Sequence, residues 1–424
     1  MIDIAPRTVS PLTSPAAGRP SRRRSAASAI HPDRLGSSQP PLRVAIVGHL
    51  KYPICHPFMG GLERFTSALV KGLQSRGIEV TLFASAGSDP DLGLEAIVPE
   101  ATVAAGERRF PDADAAADRD AWIERHEDEA YDRLMRRLAR EDLAGWFDVI
   151  HNNSINPVPI DWADRLSAPC LTTLHVPVLP RLQEQLECGG PRGSFVNISQ
   201  TNRGVWGDLL PEQTVIPNAV DTTVWKPQPR WRQPRAIWFG RILPDKGTHY
   251  AIDAAHKAGL PIDVVGPVND EAYYRNEVVP RMQPGRGDRL LGAIETDRLA
   301  KLVGRASVCL VTPCWEEPFG LVTAEAMSCG TPVAAFRRGG PQEIVSDECG
   351  RLAAPDDADA LADAVRQCLA LDRREVRQCM VDRYDESLML DRYVAQYESL
   401  AQRASRRTET PAVSGGLARQ TALA

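Results

Sequence analysis

Short apolar runs alternate with amphipathic segments along most of the chain. The first run, residues 42–48, is rich in β-branched side chains and ends at Gly48, which predicts a buried strand. The segment from Gly61 to Gly77 predicts an amphipathic helix, since its apolar residues recur at helical spacing at Leu62, Phe65, Leu69 and Leu73. Further apolar runs predict strands at residues 80–84, 148–151, 170–175 and 195–199.

A second series of the same kind begins near Arg235. Its predicted strands are residues 236–239, 262–265, 289–291, 307–311 and 332–335, and its predicted helices are residues 247–258, 296–305 and 321–329. Strands that alternate with helices are typical of βαβ units and mostly parallel sheets. The sequence therefore predicts an α/β fold of two Rossmann-like, doubly wound parallel-sheet domains. Such domains bind ligands at the carboxyl ends of their strands, in the cleft between them.

Segments that depart from this alternation set the predicted domain boundaries. Residues 1–40 are rich in Pro, Ser, Ala and Arg and predict a disordered tail, and residues 405–424 predict a flexible one. Residues 226–234 hold three prolines in a polar stretch, which predicts a linker between domains at 41–225 and 235–387. A helix at 388–404 is expected to pack back on the first domain. The charged residues 113–144 predict one long, mostly exposed helix.

Composition and charge argue against several other classes of protein. The 43% hydrophobic and 25% charged residues are typical of a globular chain, and a net charge of −5 gives a nucleic-acid partner no electrostatic support. No window reaches the about 18 uninterrupted apolar residues of a membrane helix. The nine cysteines are scattered without a Cys-x-x-Cys pair, unlike a secreted disulfide framework. The Arg22–Arg24 run lacks the apolar segment of an export signal, so a flexible extension and a cytoplasmic location are expected.

The segment 315–333 gives the strongest sequence signal of a functional site. It follows a predicted buried strand and opens a helix. Gly320 stands near the helix start, where unpaired backbone N–H groups and the helix dipole favour an anion. Glu317 and Glu325 flank that point, eight residues apart, and a carboxylate can accept hydrogen bonds from two neighbouring hydroxyls of a sugar or ribose. Either glutamate alone is more simply explained as a solvated or capping residue. The whole segment indicates a binding site.

A second candidate follows the strand at 236–239. Arg241 offers a planar, bidentate donor for phosphate oxygens, and Lys246 supplies a point charge. Gly247 lets the chain turn into the next helix without a Cβ clash. Most Lys and Arg residues are simply exposed, but two of them at a strand end between glycines favour phosphate binding.

Weaker candidates lie in the first domain. Gly60 and Gly61 precede the first predicted helix and allow an anion to approach the backbone, although a glycine pair is often only a turn. No G-x-G-x-x-G follows the first strand, which argues against a nicotinamide or flavin enzyme. His175 ends a predicted strand at the cleft edge, where a structural role and a functional one are about equally supported. The histidines show no metal-ligand spacing, so no metal site is predicted.

These segments together resemble the retaining glycosyltransferases of GT-B fold, known as glycosyltransferase family 4 or group 1. The family's E-x7-E element is similar to Glu317 through Glu325, and its G-R-x-x-x-x-K-G element to Gly240 through Gly247. The usual Pro-Asn-Gly-Val-Asp before the linker stands here as Pro217 through Asp221 with Ala219 in place of the glycine. The resemblance covers most of residues 42–404, but not the tails or the charged helix.

The resemblance implies a reaction and a set of roles. A hexose would pass from a UDP- or GDP-linked donor to an unidentified acceptor, with retention of configuration and with neither metal nor cofactor. The first domain would take the acceptor and the second the donor. Glu317, Arg241, Lys246 and His175 are implied as catalytic, with Glu317 on the transferred sugar and Glu325 on the ribose. Donor contacts are implied for Gly60, Gly61, Arg241, Lys246, Phe319, Gly320, Leu321 and Glu325.

Two other interpretations stay open. The first is another GT-B enzyme, either a sugar-nucleotide epimerase, which needs no acceptor, or a phosphorylase, which needs a lysine-bound pyridoxal phosphate. The second is a non-catalytic carbohydrate-binding protein that kept the fold. The presence of all four charged residues Arg241, Lys246, Glu317 and Glu325 weighs against the second.

Overall fold

Two parallel β-sheets carry the fold of this protein, for which a computed structural model describes residues 40–409, apart from the side chains of Ala113 and residues 407–409. The first sheet contains β1 Arg43–Val47, β2 Glu79–Ser85, β3 Leu94–Val98, β4 Val149–Asn152, β5 Cys170–Leu174, β6 Ser194–Asn197 and β7 Thr214–Val215. The second sheet contains β8 Ala236–Phe239, β9 Ile262–Val265, β10 Arg289–Leu290, β11 Val308–Val311, β12 Val333–Phe336 and β13 Gly350–Ala353.

Helices connect these strands and cover both sheets. In the first half they are α1 Gly61–Ser75, α2 Thr102–Arg109, α3 Ala116–Arg140, α4 Val158–Trp162, α5 Pro180–Gly189 and α6 Gln200–Trp206. In the second half they are α7 Thr248–Lys257, α8 Glu271–Tyr273, α9 Thr296–Arg305, α10 Leu321–Ser328, α11 Pro341–Ile344, α12 Ala358–Cys368, α13 Arg373–Tyr384 and α14 Glu386–Glu409.

The strand sequences explain why the sheets are parallel and covered. Strands β4, β5, β8, β9, β11 and β12 are buried along their whole length. Continuous burial is typical of parallel sheets with helices on both faces, because no strand face is left for solvent. The predicted architecture of two doubly wound parallel-sheet domains is confirmed.

The order of the strands reverses once in each sheet. The first sheet runs β3-β2-β1-β4-β5-β6-β7 and the second runs β10-β9-β8-β11-β12-β13, with every pairing parallel. The chain therefore winds outward in two directions from β1 and β4, and again from β8 and β11. Ligands of open α/β sheets bind in the crevice at such a switch point.

The chain passes twice between the two domains. On the outward pass Val220 donates its N–H to Tyr384 O at 2.9 Å, and on the return Glu386 donates to Val220 O at 3.2 Å. Helix α14 then packs on the first domain, where Tyr393 and Tyr397 are fully buried. It ends at Glu409, beyond the predicted end at residue 404.

Most predicted elements occur within a residue or two of their predicted bounds, and several were missed. The missed strands are β3, β7 and β13, all at or near sheet edges. The long charged segment forms α3, with a buried stripe that includes Ile123, Tyr131, Leu134 and Leu138. Of the predicted tails at 1–40 and 405–424, residues 1–39 and 410–424 lie outside the described residues, and residues 405–409 belong to α14. All nine cysteines are free. Across residues 40–409, no helix is both long and apolar enough to cross a bilayer.

Candidate functional site

The predicted site residues of both domains follow strands near the switch points. In the second domain, Arg241 comes directly after β8, and the segment that contains Glu317 connects β11 to α10. In the first domain, Gly60 and Gly61 lie at the start of α1, which follows β1, and His175 comes directly after β5. The carboxyl ends of the central strands of both sheets thus carry the candidate chemistry.

Gly320 shapes the amino terminus of α10. Its φ of +92° lies in the left-handed region, and a Cβ there would stand 2.9 Å from Pro341 Cγ, so glycine is required for both reasons. The first backbone hydrogen bond is from Thr323 N–H to Gly320 O, and no side chain caps this end of the helix. The N–H groups of Leu321 and Val322 precede that bond, so they are free to bind an anion.

The loop before α10 is held by its neighbour after β12. Gly340 donates its N–H to Glu317 O at 2.6 Å, and Gly339 donates to Glu316 Oε2 at 2.8 Å. A Cβ on Gly340 would stand 2.1 Å from Phe319 O, which no side chain can tolerate. The Phe319 side chain is itself buried edge-on against Tyr384, so any donor contact of this residue comes from its backbone.

Lys246 and Glu317 form an ion pair between the two central loops of the second domain. Trp315 Nε1 donates to the same carboxylate oxygen at 2.9 Å, and the Lys246 ammonium stands 4.9 Å from the centre of the Trp315 ring. Both charged side chains are about one fifth exposed. Lys246 and Glu317 thus neutralise each other at the cleft surface, and an incoming anion competes with Glu317 for the ammonium group.

The backbone near Lys246 is fixed to the strand next to it. Thr312 Oγ1 donates to Lys246 O at 2.9 Å. Gly247 has a φ of +60°, and a Cβ on it would stand 2.2 Å from Thr312 O. The predicted need for glycine at this turn is therefore explained by close packing of the loops after β8 and β11.

Arg241 is the exposed cation of this site. It makes no hydrogen bond or ion pair with any residue in the range 40–409, so its guanidinium is available to a ligand. Burial raises the pKa of the neighbouring Asp245, and the charges of Lys246 and Arg241 act against that rise, so the two cations share these strand ends with a partly buried carboxyl group.

The first turns of α1 and α10 face each other across the cleft. A Cβ on Gly61 would stand 3.1 Å from Leu321 Cδ1, and these are the first residues of the two helices. Gly60 is the N-cap of α1, and the carboxyl group of Glu63 in the first turn interacts with the N–H groups of Gly60 and Glu63. The amino termini of the two helices therefore converge, and their dipoles add at one place.

One turn further along both helices, Arg64 forms an ion pair with Glu325. The Glu325 side chain is 4% exposed, and its Oε1 atom has no partner of hydrogen-bond geometry among the described residues. Burial raises the pKa of Glu325, and the charge of Arg64 works against that rise. A cavity of about 390 Å³ borders both residues, within the size range of ligand pockets.

His175 belongs to a polar cluster on the first-domain side of the cleft. Its Nε2 atom is 2.7 Å from Asn153 Oδ1, and its ring meets Phe65 of α1 edge-on at 4.6 Å. Burial, with a smaller effect of His49, lowers the pKa of His175 to about 3, so the ring is neutral. A neutral imidazole here can exchange hydrogen bonds with a sugar but carries no charge.

His49 and Glu63 form a second buried pair beside this cluster, with His49 Nε2 and Glu63 Oε1 3.0 Å apart. Burial acts to raise the pKa of Glu63, but His49 and the N–H groups of Glu63 and Gly60 more than offset it, so this pKa is lowered. Glu63 Oε2 and Asn153 Nδ2 are buried without hydrogen-bond partners in the described part of the chain.

Sequence analysis missed Arg64, Glu63, His49 and Asn153. Glu63 and Arg64 directly follow the predicted Gly60-Gly61 turn, and charged residues in the first turn of a helix that opens on a cleft are the signal that was available. His49 and Asn153 stand just after β1 and β4, the strands of the switch point. Their importance depends on strand order, which one sequence does not reveal.

Among the residues described, no group of three or more His, Cys, Asp and Glu side chains is arranged to hold a metal ion. Metal independence stays a prediction that requires a binding measurement.

Two protein-family models match this chain, one over each domain. Residues 59–224 match the model described as Glycosyltransferase Family 4, and residues 233–371 match the model described as Glycosyl transferases group 1. The two matches together cover most of the chain and meet at the predicted linker.

Curated relatives resemble the chain over different lengths. The glycogen synthase of Mycobacterium tuberculosis is 31% identical over 174 residues, which are 39% of this chain and 42% of that protein. This match thus spans less than half of that relative. The D-inositol 3-phosphate glycosyltransferase of Mycolicibacterium paratuberculosis is 26% identical over 365 residues, which are 77% of this chain and 81% of that protein.

Solved structures share the fold across nearly the whole described chain. AviGT4, a glycosyltransferase involved in avilamycin A biosynthesis, has a TM-score of 0.61 and 24% identity, with 85% of this chain and 98% of that chain covered. Anabaena HepE in complex with UDP and glucose has a TM-score of 0.59 and 18% identity, with coverages of 84% and 100%. These neighbours establish the GT-B architecture.

Proposed function

We propose that this chain, which belongs to the family 4, group 1 glycosyltransferases, transfers a hexose from a UDP- or GDP-linked donor to an acceptor with retention of configuration. The observation that carries the proposal is the meeting of two helix amino termini at Gly61 and Leu321, four residues after Glu317, the ion-pair partner of Lys246. This arrangement suits a diphosphate. A structural neighbour whose title names UDP and glucose adds support for a nucleotide-sugar donor.

The donor phosphates would rearrange the Lys246–Glu317 ion pair. Lys246 is neutralised by Glu317, and a diphosphate that takes over Lys246 releases the carboxylate of Glu317. Trp315 Nε1 still holds Glu317 in place, so the freed carboxylate can accept hydrogen bonds from sugar hydroxyls. In this way donor binding itself prepares the group that contacts the transferred hexose.

Breaking the anomeric C–O bond leaves positive charge on the sugar ring and negative charge on the departing phosphate. Arg241, Lys246 and the amides at the start of α10 stabilise the phosphate, and each such preorganised donor is typically worth about 3 kcal/mol. In the mechanism implied by the family, the acceptor attacks from the face of the departing phosphate, which takes up the acceptor's proton. Glu317 then positions the sugar and forms no covalent bond to it.

Calorimetric titration with UDP, GDP and ADP, each with and without EDTA, tests donor and metal requirements together. We expect UDP or GDP to bind equally well with the chelator present. Failure of all three nucleotides to bind, or loss of binding with EDTA, contradicts the proposal.

A screen of nucleotide sugars with candidate acceptors, analysed by mass spectrometry, then tests transfer. A product heavier than the acceptor by one hexose residue supports a transferase, and its anomeric coupling in NMR spectra tests retention. Conversion of the donor to another nucleotide sugar without an acceptor would instead identify an epimerase. Binding without turnover would identify a non-catalytic protein.

A further inference from the structure

Arg64 brings a charge from the first domain to the nucleotide side of the cleft. We propose that Arg64 is a positioning residue that holds the ribose-binding carboxylate of Glu325 across the cleft, so that recognition of the nucleoside requires the first domain. The inference rests on the proposed function, because it takes Glu325 as the group that binds ribose.

Two consecutive contacts align α1 with α10. Gly61 stands against Leu321, and one turn later Arg64 contacts Glu325, at offsets of three residues on α1 and four on α10. Residues at these offsets lie on the same face of a helix. The Arg64–Glu325 contact therefore lies one turn beyond the point where the starts of the two helices approach each other.

The burial of the two partners differs strongly. The Glu325 side chain is 4% exposed, whereas the Arg64 side chain is 35% exposed. A buried carboxylate without a counter-charge is costly, and removal of its partner drives it toward the protonated form. Arg64 therefore favours the ionised form of Glu325 against the effect of burial, which raises the pKa of this carboxyl group, and the Arg64 side chain itself stays about one third exposed.

Glu325 borders the cavity and forms its ion pair with Arg64 there. Its Oε1 atom lies against Arg64 but has no hydrogen bond of good geometry to any described residue. An ionised carboxylate accepts hydrogen bonds at both oxygens, and ribose presents two adjacent hydroxyl donors. Arg64 and a ribose can therefore be bound by Glu325 at the same time.

Other ionisable groups near this pair do not supply a second cation to Glu325. Lys71 also borders the cavity and is 3.3 Å from Asp89. The carboxylates of Asp221 and Glu386 border the cavity as well, and the Cys309 and Cys329 thiols pack near Glu325 with pKa values raised by burial. Among the residues described, Arg64 is the cation that contacts Glu325.

Calorimetry with UDP and with 2′,3′-dideoxy-UDP separates this role from a general structural one. If GDP binds the wild-type chain more tightly, GDP and its dideoxy form are used instead. We expect Arg64→Gln to weaken binding of the natural nucleotide roughly tenfold, the size of one hydrogen bond to a charged group. Binding of the dideoxy nucleotide should change less than about twofold, because it lacks the hydroxyls that Glu325 would hold. Arg64→Lys should recover part of the loss.

Arg76→Gln is the matched control, since Arg76 follows the same helix and pairs with Asp391 of α14, away from the cavity. We expect it to bind both nucleotides like the wild type. In an Arg64→Gln, Glu325→Gln double variant the two losses should not add, because a neutral amide needs no counter-charge.

The outcomes distinguish the role of Arg64 from the proposed glycosyltransferase function. Equal loss of both nucleotides in Arg64→Gln, or no loss of either, overturns the role of Arg64 and leaves the proposed function standing. If the wild type binds neither UDP nor GDP, the proposed function is wrong and the inference falls with it. Circular dichroism confirms that each variant is folded.

Discussion

Lys246 is held by different neighbours at its ammonium group and at its backbone. It contacts Glu317 and lies near the face of the Trp315 ring, while its backbone carbonyl accepts a hydrogen bond from Thr312. The backbone and the ammonium group are thus held by different neighbours. A substitution can remove the charge without disturbing the loop.

Lys246→Met should weaken nucleoside diphosphate binding by roughly tenfold to a hundredfold, the range for a lost hydrogen bond to a charged group. The melting temperature should stay within a few degrees of the wild type, since the side chain lies at the cleft surface. Calorimetry with UDP or GDP measures the loss. Lys257→Met, at an exposed lysine paired with Asp359 in the same domain, is the control. An unchanged dissociation constant for Lys246→Met would remove this lysine from the site.

Glu317 and Glu325 should give different kinetic patterns when each is changed to glutamine. Glu317 would contact the sugar whose bond breaks, so Glu317→Gln should lower kcat, by about tenfold or more, while changing donor affinity little. Glu325 would hold the ribose, which does not change during the reaction, so Glu325→Gln should mainly raise the donor KM. Steady-state kinetics, with the donor that the screen of nucleotide sugars identifies, measures kcat and KM for both variants. Identical patterns in the two variants would show that the roles are assigned wrongly.

The sequence indicated residues whose chemistry is visible in a short segment, such as Arg241, Lys246, Glu317 and Glu325. It did not indicate that Lys246 pairs with Glu317 or that Glu325 pairs with Arg64, since those contacts join residues 71 and 261 positions apart. Arg64 in isolation looks like any charged residue of an amphipathic helix. Its partner becomes evident only when α1 and α10 are placed face to face.

At the scale of elements, α14 is attached to the first sheet by a buried polar network. His151 of β4 contacts Tyr397 Oη through Nδ1 at 2.6 Å and Thr173 Oγ1 through Nε2 at 2.7 Å. Tyr393 Oη lies 3.1 Å from the same Thr173 oxygen. Both nitrogens of a fully buried imidazole are thereby satisfied, which fixes the position of α14 against β4 and β5.

This network makes stability sensitive to acid. Burial lowers the pKa of His151 to about 3, against about 6.5 in the unfolded chain. Between these values the unfolded state binds a proton that the folded state does not, so the free energy of unfolding falls as the pH falls. The contribution of His151 is at most about 1.4 kcal/mol per pH unit.

His151→Gln should flatten the pH dependence of stability between pH 6.5 and 4 while lowering stability at pH 7.5 through imperfect hydrogen bonds. Urea unfolding at several pH values measures both effects. His126→Gln, at a partly exposed histidine of α3, is the control and should keep the slope of the wild type. If the free energy of unfolding of His151→Gln depends on pH as steeply as that of the wild type, the His151 imidazole does not change its protonation on unfolding.

The sequence predicted elements best where an apolar run is bounded clearly. Strands β8 and β9 and helix α9 have their predicted bounds because glycine, proline or charged residues stop each pattern. Strand β7 has only two residues, and β3 is mostly half-exposed at a sheet edge, so neither has a periodic pattern. These strands form because a neighbouring strand is present, which is a property of the assembled sheet.

At the scale of the whole molecule, a second contact joins the domains beside the site. Ser199 Oγ donates to Pro318 O at 2.5 Å, next to Glu317. The carboxylate of Glu343 in α11 accepts from the N–H groups of Gln200 and Thr201 at 3.2 and 3.1 Å. Glu343 therefore satisfies the amino terminus of α6 from the opposite domain, as a capping residue normally does within its own helix.

The Ser199–Pro318 hydrogen bond lies in the loop before α10, and the Arg64–Glu325 ion pair lies within α10. Ser199 holds the segment before α10, and Arg64 holds the first turns of α10 itself. We predict that the hydrogen-bonded crossings at Val220 and Tyr384 act as a hinge between the domains. Opening the cleft would then break a small set of polar contacts on one side while the crossings stay intact, and a donor that bridges the cleft would favour the closed arrangement.

Glu343→Ala should accordingly loosen the closed arrangement without unfolding either domain. The N–H groups of Gln200 and Thr201 lose their acceptor, so their hydrogen exchange should accelerate by roughly fivefold, the effect of about 1 kcal/mol of lost capping. Saturating UDP or GDP should restore much of the protection, because the donor draws the domains together.

Asp357→Ala is the matched control: the Asp357 carboxylate caps α12 within the second domain, through the N–H groups of Asp359 and Ala360. That variant should lose protection at the start of α12 and keep it at α6. If Glu343→Ala leaves exchange at residues 200 and 201 unchanged, the two domains are not held together at this point and the closed state depends on Arg64 and the hinge alone.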